Sequence, residues 1–123
     1  MTKENIIQFN RKFKVWGYTV SHGQLLLRST KDNDYPTRVD VLFKNVIFIQ
    51  IPVLFLGLVV SEMDKKDFQS LNLSTGLYPE RNRKFFKVSG NNWNGVIVAG
   101  VVSFLEEDAE HSSQSKLISF PVL

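Results

Sequence analysis

The fold of this chain is decided by one apolar stretch, VIVAGVVSFL, which occupies residues 96–105. Neighbouring residues of a strand point to opposite faces of its sheet, so the stretch divides into two alternating sets of side chains. Both sets are apolar except for Ser103, and the stretch is rich in valine, which favours strands. Such a segment is typical of a central strand that is covered on both faces, and it predicts a layered β structure.

Further short apolar runs extend this prediction to the rest of the chain. We expect about seven mostly antiparallel strands in a mainly β domain, arranged as a two-layer sandwich or a partly open barrel. Residues 63–71 are the best candidate for one short helix, so an α+β arrangement is an alternative. No linker or repeat divides the chain, and residues 1–123 are predicted to form a single domain. The other predicted strands are 12–20, 24–29, 38–43, 46–51, 53–60, 84–89 and 116–120.

Two tight turns are predicted from glycine-containing sequences. The first joins strands 12–20 and 24–29, with His22 and Gly23 as its loop. The second lies at Asn94-Gly95. In the register of the first turn, one buried face contains Trp16, Tyr18, Val20, Leu25 and Leu27, and the opposite face is more polar.

Composition excludes several classes of protein. The chain has 123 residues, of which 43% are hydrophobic and 22% charged, as in an ordinary globular domain. It has no cysteine, which rules out disulfides, thiol nucleophiles and cysteine-bound zinc and suits a reducing cytosol. The longest apolar stretch, residues 46–60, is shorter than the roughly 20 residues of a membrane helix. Since the N-terminus has no signal pattern, we expect a cytoplasmic protein without a membrane partner.

No catalytic, cofactor or metal site is predicted. Ser21 and His22 are neighbours in the chain and would point to opposite faces of an extended segment, and no nucleophile elbow is present. The acidic residues at 106–110 beside His111 have no metal-binding spacing and indicate a solvated loop. Neither G-x-G-x-x-G nor a Walker loop occurs. We therefore expect a protein that is not an enzyme.

The segment WGYTVSHGQLLLRS, residues 16–29, followed by RVDVLF at 38–43, resembles a group of small, uncharacterised bacterial single-domain proteins. The resemblance covers about the first half of the chain, together with GVIVAG at residues 95–100. It implies a stand-alone bacterial protein. It brings no activity and no functional residue.

One basic and aromatic segment is a candidate for nucleic-acid binding. The net charge of +3 is too small to indicate nucleic acid by itself. In the segment, cations would meet phosphates and an exposed ring would stack on a base. The alternative is an edge strand whose lysines prevent aggregation. The candidate residues are Arg81, Arg83, Lys84, Phe85 and Lys87.

Arg28, Arg38 and Asp40 form a candidate charge cluster on neighbouring predicted strands. Two guanidinium groups with a single carboxylate would bind an anion or an acidic group of a partner. The other interpretation is a structural ion pair that orders the sheet.

Trp93 stands between asparagines at a predicted hairpin tip, where it is either a partner-binding anchor or a lid folded onto the sheet. Asn91, Asn92 and Asn94 would supply hydrogen bonds to a partner. We therefore predict a non-enzymatic protein-binding module of bacterial type, similar in size and character to the immunity proteins that neutralise a toxin. A small nucleic-acid-binding domain is the alternative, and a ligand-binding β-barrel is a third. The oligomeric state is left open.

Overall fold

The computed structural model describes residues 5–64, 66–67 and 82–117 of the chain. Its strands form one antiparallel sheet in the order β4-β7-β6-β5-β1-β2-β3-β8, which is not closed into a barrel. The predicted mainly β fold is confirmed, with eight strands in place of about seven. The strands are β1 (Asn5–Thr19), β2 (Gln24–Ser29), β3 (Arg38–Lys44), β4 (Phe48–Gln50), β5 (Leu54–Met63), β6 (Lys84–Gly90), β7 (Trp93–Ala99) and β8 (Val101–Glu107).

The inner face of the sheet surrounds one hydrophobic core that draws on seven of the strands and is rich in aromatic rings. Phe13 of β1 stacks on Phe55 of β5 with ring centroids 6.0 Å apart. Phe43 of β3 meets Phe86 of β6 edge-on at 5.6 Å. Because β1 pairs with both β5 and β2, this long strand joins the two halves of the sheet that enclose the core.

The predicted central strand at 96–105 is divided into β7 and β8 at Gly100. At this point the Gly100 N–H donates to the carbonyl oxygen of Lys44, at the end of β3. The Ile47 N–H in turn donates to the carbonyl oxygen of Val98. The chain thus passes from one half of the sheet to the other at both β3–β4 and β7–β8, which explains the eighth strand.

The first hairpin has a longer turn than the sequence predicts. Tyr18 pairs with Leu25, so residues 20–23 form the loop, and the register shifts again next to Trp16. Tyr18 and Leu27 share the inner core, as predicted. The predicted core position of Val20 is wrong, because its side chain is 85% exposed in the loop. Trp16 is also misplaced by the prediction, since the shift moves its ring to the outer face beside Leu26.

Two other local predictions differ from the structure. Met63 is the last residue of β5, so no helix begins there. Lys66 and Asp67 are helical, and the remainder of the predicted helix lies outside the described residues. The predicted strand at 116–120 is a turn at Lys116 and Leu117, and its other residues lie outside the described part of the chain.

Candidate binding surfaces

Trp93 lies beside the β6–β7 turn, which forms at Asn91 and Asn92 rather than at the predicted Asn94-Gly95. Gly95 instead lies within β7. A Cβ at this position would come within 2.1 Å of the Gln50 carbonyl oxygen, so glycine is needed for the close approach of β4. Asn92 takes the left-handed conformation, with φ at 61°. This conformation suits asparagine and explains why the turn forms three residues earlier than predicted.

The Trp93 side chain is folded back as a lid on the core. Its ring lies 4.6 Å from the ring of Phe55, and its indole N–H donates to the Leu56 carbonyl oxygen at 3.3 Å. The indole is half-buried. The side chains of Asn91, Asn92 and Asn94 are exposed around it.

A group of exposed apolar side chains lies next to this turn and was not predicted. Val53 is 71% exposed, Leu54 67% and Leu56 42%. We refer to these three residues as the β5 patch. Residues 46–60 form the longest apolar stretch of the chain, yet β5 alternates: Phe55 points inward and its two neighbours point outward. The adjacent strand carries a matching signal, since Lys12 and Lys14 flank Phe13 and pair with Leu56 and Leu54.

The Trp93 turn is joined to the backbone of β5 beside the β5 patch. The Asn91 N–H donates to the Leu56 carbonyl oxygen at 2.9 Å, the same oxygen that accepts from the indole of Trp93. The turn is thereby held against β5 at the point where the patch ends. An apolar centre with exposed amides and ammonium groups at its margin has the make-up of a protein-contact surface.

The basic and aromatic segment has accessible cations and inaccessible rings. Lys84 and Lys87 are exposed, and Arg83 donates from Nε to the Asn45 carbonyl oxygen at 2.9 Å. Phe85 and Phe86, on opposite faces of β6, are only 6% and 2% exposed. Neither ring is open to a base, so the nucleic-acid hypothesis remains a prediction that rests on charge alone. Arg81 lies outside the described residues.

The predicted charge cluster exists and is buried. Asp40 Oδ1 lies 2.7 Å from Arg28 Nε, and its Oδ2 lies 3.3 Å from Arg38 Nη2. None of the three residues is more than 2% exposed. Trp16 covers Arg28, with the guanidinium carbon 4.7 Å from the ring centroid. In the shifted register, Lys14 of β1 lies opposite Arg28.

Residues 108–117, which we term the strap, cross the outer face of β2 and β3 and close this cluster from solvent. Arg28 Nη1 donates to the His111 carbonyl oxygen, and Arg38 Nη1 donates to that of Ser113, both at 2.8 Å. Arg38 also donates to the Glu110 carbonyl oxygen. Since these donors are already used within the chain, the geometry is that of a structural ion pair.

A third buried arginine, Arg11, was missed by the sequence interpretation. Its side chain is 3% exposed and donates to Ser29 Oγ at 2.7 Å and to the Thr37 carbonyl oxygen at 2.6 Å. Its guanidinium lies 4.4 Å from the Tyr35 ring centroid. It thus ties the β2–β3 loop to β1. The only sequence signal is that Arg11 shares the alternation of Phe9 and Phe13.

Comparison of the chain with protein-family models, with curated proteins and with solved structures finds no match. The candidate surfaces therefore rest on their own geometry. Within residues 5–64, 66–67 and 82–117, no helix is long and apolar enough to cross a membrane. The same residues contain no group of three acidic or histidine side chains placed to hold a metal ion.

Proposed function

We propose that this chain is a non-enzymatic protein-binding module whose contact surface is the β5 patch together with the Trp93 turn. The observation that carries the proposal is the exposure of Val53, Leu54 and Leu56, at 71%, 67% and 42%. Burying each such side chain in an interface gains on the order of 1.5–3 kcal/mol. Contiguous exposed apolar groups with a polar margin mark interaction sites.

The Trp93 turn supplies the polar part of this surface. Asn91, Asn92 and Asn94 are exposed and offer amide donors and acceptors beside the patch. The half-buried indole of Trp93 adds aromatic area, and its hydrogen bond to the Leu56 carbonyl oxygen holds it in place. A pre-ordered surface loses little conformational entropy on binding, which favours affinity.

Within this class, we propose that the chain acts as bacterial immunity proteins do, as a small domain that neutralises a toxin by binding it. The support is analogy of size and character. A toxin gene beside the gene for this chain, with rescue of cells that express both, is the expected result. Toxicity that co-expression leaves unchanged would contradict this narrower proposal and leave protein binding itself standing.

The contact surface is tested by site-specific photo-crosslinking in cells. A photoreactive phenylalanine analogue is placed at Leu54 or Leu56 and, as a control, at Phe104, an apolar residue of β8 that is 49% exposed. We expect one defined protein to be crosslinked from both β5 positions and not from Phe104, and to be lost from a Leu54→Ser/Leu56→Ser variant. Equal crosslinking from all three positions, or none from β5, would contradict the proposed surface.

A filter-binding titration with single-stranded RNA separates the nucleic-acid alternative. That alternative requires retention that falls steeply with salt and that a Lys84→Gln/Lys87→Gln variant weakens. Under the proposed function we expect no specific retention of the RNA on the filter. The Lys84→Gln/Lys87→Gln variant should also crosslink its partner through position 54 as well as the unsubstituted chain does.

A further inference from the structure

One row of paired residues crosses the outer face of β5, β1, β2 and β3, and half of this row is covered and half is bare. Leu54 pairs with Lys14, Lys14 with Arg28, and Arg28 with Asp40. Directly paired residues of antiparallel strands project from the same face. Arg28 and Asp40 lie beneath the strap, whereas Lys14 and Leu54 are exposed.

The covered half shows which kind of segment this face accepts. Residues 106–117, EEDAEHSSQSKL, lead into and form the strap, and they carry four carboxylates and one lysine. Asp108 contacts Lys31 at 2.8 Å, and Glu107 lies 3.7 Å from Arg38. At the far end, Leu117 packs against Leu26, Leu42 and Trp16. A segment that carries acidic side chains and a leucine thus covers this half: Asp108 pairs with Lys31, and carbonyl oxygens of the segment accept from Arg28 and Arg38.

The bare half has the same two chemical elements, and no described residue covers it. Lys12 and Lys14 project beside Leu56 and Leu54. Within the described part of the chain, neither ammonium group forms an ion pair. Lys14 lies 5.7 Å over the ring of Trp16, which adjoins the covered half. Two unpaired like charges beside an apolar strip produce a positive potential that an acidic ligand would neutralise.

We propose that the bare half, formed by Lys12, Lys14 and the β5 patch, binds an acidic, extended segment of a partner protein. Carboxylates of that segment pair with the two lysines, and one of its apolar side chains packs on Leu54 and Leu56. The inference rests on the proposed function and specifies the chemistry of the partner.

The test uses the full chain, isotopically labelled, and two short capped peptides observed by NMR. One peptide contains glutamate and leucine, and the other has glutamine in place of every glutamate. We expect the acidic peptide to shift signals of residues 12–14 and 53–56, and the glutamine peptide to bind about tenfold more weakly. Added salt should reduce this difference, because the exposed charges are screened.

Matched variants locate the charges. Lys12→Gln/Lys14→Gln should bring the affinity for the acidic peptide down to that for the glutamine peptide. Lys84→Gln/Lys87→Gln, which alters two exposed lysines of β6, should leave it unchanged. If both variants have the same thermal unfolding midpoint as the unsubstituted chain, a change in affinity reflects binding and not loss of the fold.

Each other outcome has a defined meaning. Equal binding of both peptides at residues 53–56 would overturn the acidic partner and leave the proposed function standing. Signal shifts centred on residues 84–87 would overturn the proposed binding site. A short oligothymidylate serves as an anionic probe without apolar side chains. If it binds at Lys12 and Lys14 more tightly than the acidic peptide, the site recognises charge alone and the proposed peptide partner is overturned. If neither peptide binds but Leu54 still crosslinks a partner, only this inference is overturned. If neither peptide binds and Leu54 crosslinks no protein, the proposed function is contradicted as well.

Discussion

The indole nitrogen of Trp93 occupies the space above Gly90 that a side chain would fill: a Cβ built on Gly90 would lie 2.2 Å from it. The same Cβ would lie 2.3 Å from the Gly57 carbonyl oxygen. The backbone of β6 thus approaches β5 closely enough that only glycine fits, and the tryptophan closes the gap.

Replacing Gly90 with alanine should therefore displace the lid. We expect Gly90→Ala to lower the free energy of unfolding by about 1–3 kcal/mol, because the inserted methyl group meets main-chain atoms that cannot rotate away. Gly100→Ala is the control, since its Cβ would approach the Asn45 side chain no closer than 3.1 Å. Urea denaturation followed by circular dichroism measures both. Equal losses would contradict the account of Gly90.

Trp93 should contribute to stability as well as to binding. Its packing against Phe55 and its half-buried position predict a loss of about 2 kcal/mol for Trp93→Ala, below the 3–5 kcal/mol that is typical of a fully buried aromatic side chain. Trp93→Phe keeps the ring contact and should lose less. If Trp93→Ala unfolds at the same urea concentration as the unsubstituted chain, the lid is wrong and the anchor interpretation takes its place.

Asp40 should be among the polar side chains whose removal costs most. Its carboxylate compensates two buried guanidinium groups. Asp40→Ala leaves Arg28 without a counterion and Arg38 with only the more distant Glu107, so it should cost about 3–5 kcal/mol. Asp108→Asn breaks an exposed ion pair with Lys31 and should leave the midpoint of chemical denaturation almost unchanged. Similar midpoints for the two variants would mean that the cluster is solvated in solution.

The Lys31–Asp108 pair also predicts a titration. The side-chain hydrogen bond from Lys31 holds the pKa of Asp108 below its ordinary value of 3.8. A lowered pKa in the folded state stabilises the fold above the unfolded value, and this contribution is lost as the pH falls through the lowered value. In NMR titrations we expect the Asp108 midpoint below 3.8 and its return towards 3.8 in Lys31→Met. An unshifted midpoint in the unsubstituted chain would show that the pair does not persist.

The hairpin register is tested by two residues on either side of the turn. Leu26 is 1% exposed beneath the strap, so Leu26→Ala should cost about 2–5 kcal/mol. Val20 is 85% exposed, and Val20→Ala should change stability by less than about 0.5 kcal/mol. The register that the sequence predicts gives the reverse order, so the two denaturation curves decide between them.

The fold class could be predicted because period-two apolar patterns appear in nearly every strand, and these patterns depend only on local sequence. The register of the first hairpin could not, because the shift beside Trp16 moves one ring to the other face without altering the pattern. The sequence predicts a polar face of β2 at Leu26. Nothing in residues 24–29 reveals that a segment more than 80 residues later covers this face.

The candidate sites follow the same division. The residues of the charge cluster could be named because Arg28 and Asp40 lie on strands predicted to be neighbours. Their burial could not be predicted, because carbonyl acceptors of the strap leave no trace in the sequence. The β5 patch was missed because an apolar run gives no sign of which of its side chains lack a cover.

The strap has a consequence for how the chain matures on the ribosome. All eight strands precede residues 108–117 in the chain, so translation produces the sheet before the segment that seals its outer face. Until those residues emerge, Leu26 and Leu42 are open to solvent and the guanidinium groups of Arg28 and Arg38 lack their carbonyl acceptors. Until the strap is in place, the outer face of β2 and β3 therefore exposes apolar and cationic groups that the folded molecule covers.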